Sequence, residues 1–107
     1  MDKVRLIVLD ILKPHSPNIL ELAEKLESLP SVLGVDITLF EMDNKVENVK
    51  LTLVGDSLRY AEIQDVIREC GATIHSMDKV KAGHIVVQEA ETQQEEGANM
   101  NAPRRRR

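Results

Sequence analysis

Two halves of this chain repeat one order, an extended run, an amphipathic run and a second extended run, and that order constrains the fold more than any other feature. The first half reads as a strand over 4–12, a helix over 18–29 and a strand over 35–42. The second reads as a strand over 46–54, a helix over 57–70 and a strand over 73–80. With right-handed crossovers, such a chain places its first and third strands in the middle of one antiparallel sheet, in the spatial order 4-1-3-2. Both helices then lie on the same side.

The resulting class is α+β, a ferredoxin-like βαββαβ sandwich. Its first strand is apolar on both alternating sets, Ile7, Leu9 and Ile11 on one and Val4, Leu6, Val8 and Leu12 on the other. Successive side chains of a strand point to opposite faces, so this strand needs cover above and below. Ser16 followed by Pro17 fits a helix N-cap with proline at the first helical position. Ile19, Leu22, Ala23, Leu26 and Leu29 then form one apolar stripe that Pro30 ends. Val35, Ile37 and Leu39 alternate with Asp36, Thr38 and Phe40, Asp43-Asn44 suits a tight hairpin turn, and Val49, Leu51 and Leu53 alternate with Asn48, Lys50 and Thr52. Asp56 is the expected N-cap of the second helix, whose buried stripe is Tyr60, Ile63, Val66, Ile67 and Cys70, with Gly71 as its stop.

A chain of 107 residues fits one domain, here residues 1–90. Residues 91–107 are nearly devoid of apolar side chains and read as a disordered polar tail ending in Arg104, Arg105, Arg106 and Arg107. That run offers at most weak contact with an anion. The body is more acidic than the chain as a whole, whose net charge is −4, so it repels nucleic-acid backbones. No apolar run approaches the roughly 20 residues that span a bilayer, and the N-terminus lacks a cleavable signal, so the expected location is cytoplasmic and off the membrane. The single cysteine, Cys70, reads as a buried apolar residue.

The helices cover one sheet face only. On the other, Leu6, Val8 and Phe40 are joined by some side chains of the last strand, such as Met77 or Val80. Leaving that surface wet costs roughly 25 cal/mol per Å² of apolar area. Self-association through Leu6, Val8 and Phe40 is the expected solution; the alternatives are a half-wet face with scattered apolar residues, or cover by a short arm or strand over 84–90.

The run Leu9-Asp10-Ile11-Leu12-Lys13-Pro14-His15-Ser16-Pro17, the opening Gly34-Val35-Asp36-Ile37 with Glu41-Met42-Asp43 after it, and Thr73-Ile74-His75-Ser76-Met77-Asp78 leading to Ala82-Gly83 resemble a family of short archaeal proteins of unknown function. The resemblance spans about residues 2–88 and leaves out the arginine tail. It implies a ferredoxin-like fold and ring-like homo-oligomers. It brings no reaction, and so no catalytic residues.

Other uses of this fold leave signatures that are missing here. Base stacking needs two or three aromatic side chains on the open sheet face, and the chain has Phe40 there and Tyr60 on a helix. A soft-metal carrier needs paired thiolates in the first loop, where Pro14, His15 and Ser16 stand. An acylphosphatase-like enzyme needs a glycine-rich, arginine-bearing phosphate loop at the same place.

Two polar groupings remain. Lys13 and His15, beside the open amides around Asn18 and with Asp10 nearby on the first strand, would suit a small carboxylate or phosphate. Glu41, Asp43 and Glu47 around the hairpin, with Asp36 farther along, would suit a divalent cation such as Ca²⁺ or Mg²⁺, multiplied around a ring. His15, His75 and His84 lack an evident nucleophile or carboxylate partner, so the reading leans away from an enzyme. It favours a non-catalytic oligomeric module binding a small metabolite or ion between subunits, by analogy of fold. A structural or partner-adaptor ring without a small ligand is the alternative.

Overall fold

β1 (Val4–Pro14) carries the two-faced alternation, with Ile7, Leu9 and Ile11 buried and their neighbours partly exposed. After it come α1 (Ile19–Glu27), β2 (Gly34–Met42), β3 (Val46–Val54), α2 (Tyr60–Glu69) and β4 (Thr73–Ala82) in a computed structural model that describes residues 3–84. The strands form one antiparallel sheet in the order β2-β3-β1-β4, the expected ferredoxin-like arrangement. Register fixes which side chains share a face. Leu9 lies opposite Leu51 and Ile11 opposite Val49, and these meet Leu22 and Leu26 of α1 and Ile63 and Ile67 of α2 in one core. Each such aliphatic side chain contributes roughly 1.5–3 kcal/mol on burial.

The helix ends differ from expectation in two places. Asn18, not Ser16, caps α1: its side-chain oxygen accepts from the Glu21 amide at 2.9 Å, and Glu21 returns a bond to the Asn18 amide at 3.0 Å. This reciprocal box satisfies two free donors at once, which Ser16 cannot do because Ile19, three positions on, has no carboxylate to return a bond. Asp56 does not cap α2, which begins after Arg59 without a side-chain cap. Asp56 instead pairs with Arg5 at 3.5 Å. Gly71, at φ +76°, ends α2 as expected. Its amide bonds the Arg68 carbonyl and the Ala72 amide bonds that of Ile67, the paired closure that a left-handed glycine permits.

The last strand also corrects the reading of its side chains. Met77 lies opposite Leu9 and Val80 opposite Ile7, which puts both on the helix-side face rather than the open one. Register shifts at three points of the β1–β4 ladder break the simple alternation, and both residues stay about half exposed at the sheet edge. The arm over 84–90, from residue 85 onward, and the tail over 91–107 fall outside the described residues. Among the described residues, no helix is long and apolar enough to cross a membrane.

Gly55, just after β3, is sterically required. A methyl there would run into the Ser31 carbonyl oxygen and lie 2.8 Å from Leu58 Cδ2. Because the obstacle is partly backbone, Gly55→Ala is expected to destabilise the chain by about 1–3 kcal/mol in urea unfolding. A variant as stable as wild type would show that this turn yields.

Candidate functional site

At the hairpin end of the sheet the core stripe continues into charge. The parity that buries Ile7, Leu9 and Ile11 extends to Lys13, and that of Val49, Leu51 and Leu53 extends back to Glu47. The two are direct cross-strand partners. Lys13 has no exposed surface and Glu47 is 9% exposed, depths at which an unpaired charge is costly. Lys13 Nζ donates to Glu47 Oε1 at 2.8 Å and to the Pro14 carbonyl at 2.7 Å. The other carboxylate oxygen, Glu47 Oε2, lies 3.0 Å from His15 Nδ1, and His15 Nε2 lies 2.9 Å from the Asp43 carbonyl oxygen.

These contacts set the titration behaviour. The bond to Glu47 is the main reason the His15 imidazole holds its proton above its ordinary range, with the Asn44 and Asp43 carbonyls adding to it. The bonds from His15 and then Lys13 hold the Glu47 carboxyl below the usual carboxylate range. Asp43 is likewise lowered, by the Val46 and Lys45 amides, which both donate to its Oδ1 at 2.8 Å and close the turn. Cys70 is buried and its thiol is pushed up by that burial, which suits an inert core residue.

The two polar groupings read from the sequence are thus redistributed. Lys13 and His15 join Glu47 and the Asp43 carbonyl in one cluster. Asn18 is not part of it, since both its amide and its side chain serve the capping box, and Lys13 turns to Glu47 instead of the helix start. Asp36, Glu41, Asp43 and Glu47 are not gathered as one ligand set. Asp36 and Glu41 pair with Thr52 and Asn48, whose side chains have the opposite parity to Glu47. Among the described residues, no three His, Cys, Asp or Glu side chains converge in a way that would hold a metal ion.

The helix-free face has its own composition. Leu6, Val8 and Leu12 of β1 share it with Val46 and Val54 of β3, and Phe40 of β2 is 57% exposed. Phe40 sits at a bulge of the β2–β3 ladder, and Lys50 Nζ lies 5.5 Å from its ring centre. The same ammonium pairs with Asp78 Oδ2 at 3.2 Å, crossing over β1 above Asp10. Asp78 also accepts from the Ser76 hydroxyl at 2.7 Å and is held below its ordinary range, by that bond first and by Lys50 second. Asp10 Oδ1 and Asn48 Oδ1, on this face, are shut off from solvent without a hydrogen-bond partner among the described residues. Beside them, at the hairpin end, a cleft of about 520 Å³ is lined by Leu12, Glu41, Met42, Asp43, Val46 and Asn48.

Sequence reasoning singled out Glu41 and Asp43 but missed Leu12, Met42, Val46 and Asn48 as cleft walls. Strand parity carries the signal for Leu12, Val46 and Asn48, which extend the open-face set of β1 and β3 toward the turn. Met42 lies past the β2 bulge, where parity read from sequence no longer holds.

Residues 5–96 match the profile of DUF211, described as uncharacterized ArCR. The chain is also 50% identical over 95 residues to an uncharacterized protein of Methanocaldococcus jannaschii, a stretch covering 89% of this chain and 98% of that relative.

Proposed function

We propose, for a chain that belongs to the DUF211 family, a non-catalytic role as a homo-oligomeric module that joins through the helix-free face of its sheet and holds a small metabolite or ion at the subunit boundary. The observation that carries this reading is the apolar set on that face: half-buried Leu6, Val8 and Leu12 along β1, with exposed Val46 and Val54 at the two ends of β3 and exposed Phe40 alongside. An apolar patch of this kind on a soluble domain marks an interaction surface. The sequestered oxygens of Asp10 and Asn48 favour the same reading, because a neighbouring copy or a ligand would bring the donors they lack. The cleft at the hairpin end adjoins this set, so a subunit seated on the face would help to enclose it.

A non-catalytic role is supported by how the charged cluster spends its bonding capacity. Lys13, His15 and Glu47 satisfy one another, and the cluster contains no nucleophile for His15 to activate.

Size-exclusion chromatography with light scattering tests the assembly. The expected mass is a multiple of the chain mass at micromolar concentration, and Val8→Asp is expected to reduce it while leaving the circular dichroism spectrum folded. Leu26→Asp, on the opposite side of β1 among the core residues, is expected to unfold the chain outright. A wild type that runs as a monomer overturns the reading. Native mass spectrometry of protein purified from its own source tests the ligand. An intact oligomer carrying no extra mass, and unshifted in melting by metabolites or divalent ions, would select the structural or adaptor ring instead.

A further inference from the structure

We infer that His15 is a protonation-operated latch that fastens the β2–β3 turn, and with it one wall of the hairpin-end cleft, to the segment between β1 and α1. The two ring contacts carry the inference. One ring nitrogen faces Glu47 Oε2 at 3.0 Å and the other faces the Asp43 carbonyl at 2.9 Å. An ionised carboxylate and a carbonyl can only accept, so both contacts are hydrogen bonds only when both nitrogens carry protons. The imidazolium meets that condition; neutral imidazole has one N–H for two acceptors.

The groups facing the ring are few. Glu47 comes from β3, with Lys13 of β1 behind it on the other carboxylate oxygen. The turn contributes the Asp43 and Asn44 carbonyls, while the Asp43 carboxylate is committed to the Lys45 and Val46 amides. From α1 the nearest titratable group in sequence, Glu21, is engaged with Asn18. When the ring loses a proton, its remaining N–H stays with the carboxylate, the stronger acceptor. The lone pair of Nε2 is then turned toward the Asp43 carbonyl and repels it. The turn contact is therefore the one released, while the Lys13–Glu47 pair persists. Since Met42, Asp43 and Val46 line the cleft, that wall loosens as pH rises. The imidazole is 42% exposed, so its proton exchanges readily with solvent. All of these contacts lie within one chain, and the latch holds whether or not the chain assembles.

Hydrogen–deuterium exchange of the full chain, read in peptides spanning 40–48 and compared between wild type and His15→Gln at each pH, provides the test. The ratio cancels the intrinsic pH dependence of exchange. At pH 6 the wild-type turn is expected to exchange several-fold more slowly than the variant, and by pH 8.5 the two are expected to coincide. Peptides covering 49–53 should show a ratio near one throughout. A turn ratio that stays constant from pH 6 to 8.5 overturns the latch. If the Gln variant does not fold, the wild-type ratio of turn to core exchange decides the same question: it must rise across this range.

Discussion

Glu47→Leu is expected to lower unfolding stability by about 3 kcal/mol, because it strips the compensating carboxylate from a lysine that has no exposed surface. In the variant, Lys13 Nζ keeps only the Pro14 carbonyl as a partner, and the strand holds the side chain on the buried face. Lys13→Met is expected to cost less. It leaves a carboxylate that still has His15 beside it and reaches solvent at its edge. The double variant Lys13→Met/Glu47→Leu should recover most of the loss, since removing both charges leaves no orphan. Urea unfolding of the four proteins closes a double-mutant cycle, and an interaction energy near zero would show that the pair is not coupled.

Acid provides a second check on the same pair. Glu47 titrates below its ordinary range in the folded chain, so its stabilisation is present at neutral pH and is lost as pH falls through the folded-state value. The gap between wild type and the double variant should therefore narrow in acid. His15 works in the other direction. Its folded-state value is raised, so its contribution is full below about 6.5 and disappears as pH climbs past that raised value.

The sequence carried the sheet order because both halves repeat one pattern, and it carried the core stripes because alternation and helical spacing are local. It carried less at the points where two elements meet. Lys13 and Glu47 were assigned to separate groupings, as an anion ligand and a cation ligand, although the parity of Ile7, Leu9, Ile11 and of Val49, Leu51, Leu53 already put both on the buried side. A charge at a strand end is ordinarily solvated, so nothing in the local pattern marks these two as a buried pair. Asn18 shows the opposite difficulty: Ser16-Pro17 has the composition of a helix start, but only Asn18 has an acidic residue three positions later to complete a reciprocal cap. The helix-side position of Met77 and Val80 is not legible locally, because the bulges in the β1–β4 ladder are set by pairing between distant segments and leave no mark in the sequence of β4.

Leu9→Ala and Val8→Ala, adjacent on β1, are expected to have opposite phenotypes. Leu9 is fully buried, opposite Leu51 on β3 and within reach of both helices, so truncation leaves a cavity in a close-packed layer. The expected loss is about 3–4 kcal/mol in the isolated chain. Val8 faces the helix-free side and is partly wet, so its truncation should cost under about 1 kcal/mol of chain stability. If that side is covered by another copy, however, unfolding of wild type is coupled to dissociation, and its midpoint rises with protein concentration. Val8→Ala should flatten this concentration dependence, whereas Leu9→Ala should lower the whole curve and keep its slope. Thermal unfolding across a hundredfold range of concentration separates the two effects. A wild-type midpoint that does not move with concentration, together with a Val8→Ala curve superimposed on it, would mean that the apolar side chains of this face do not join subunits.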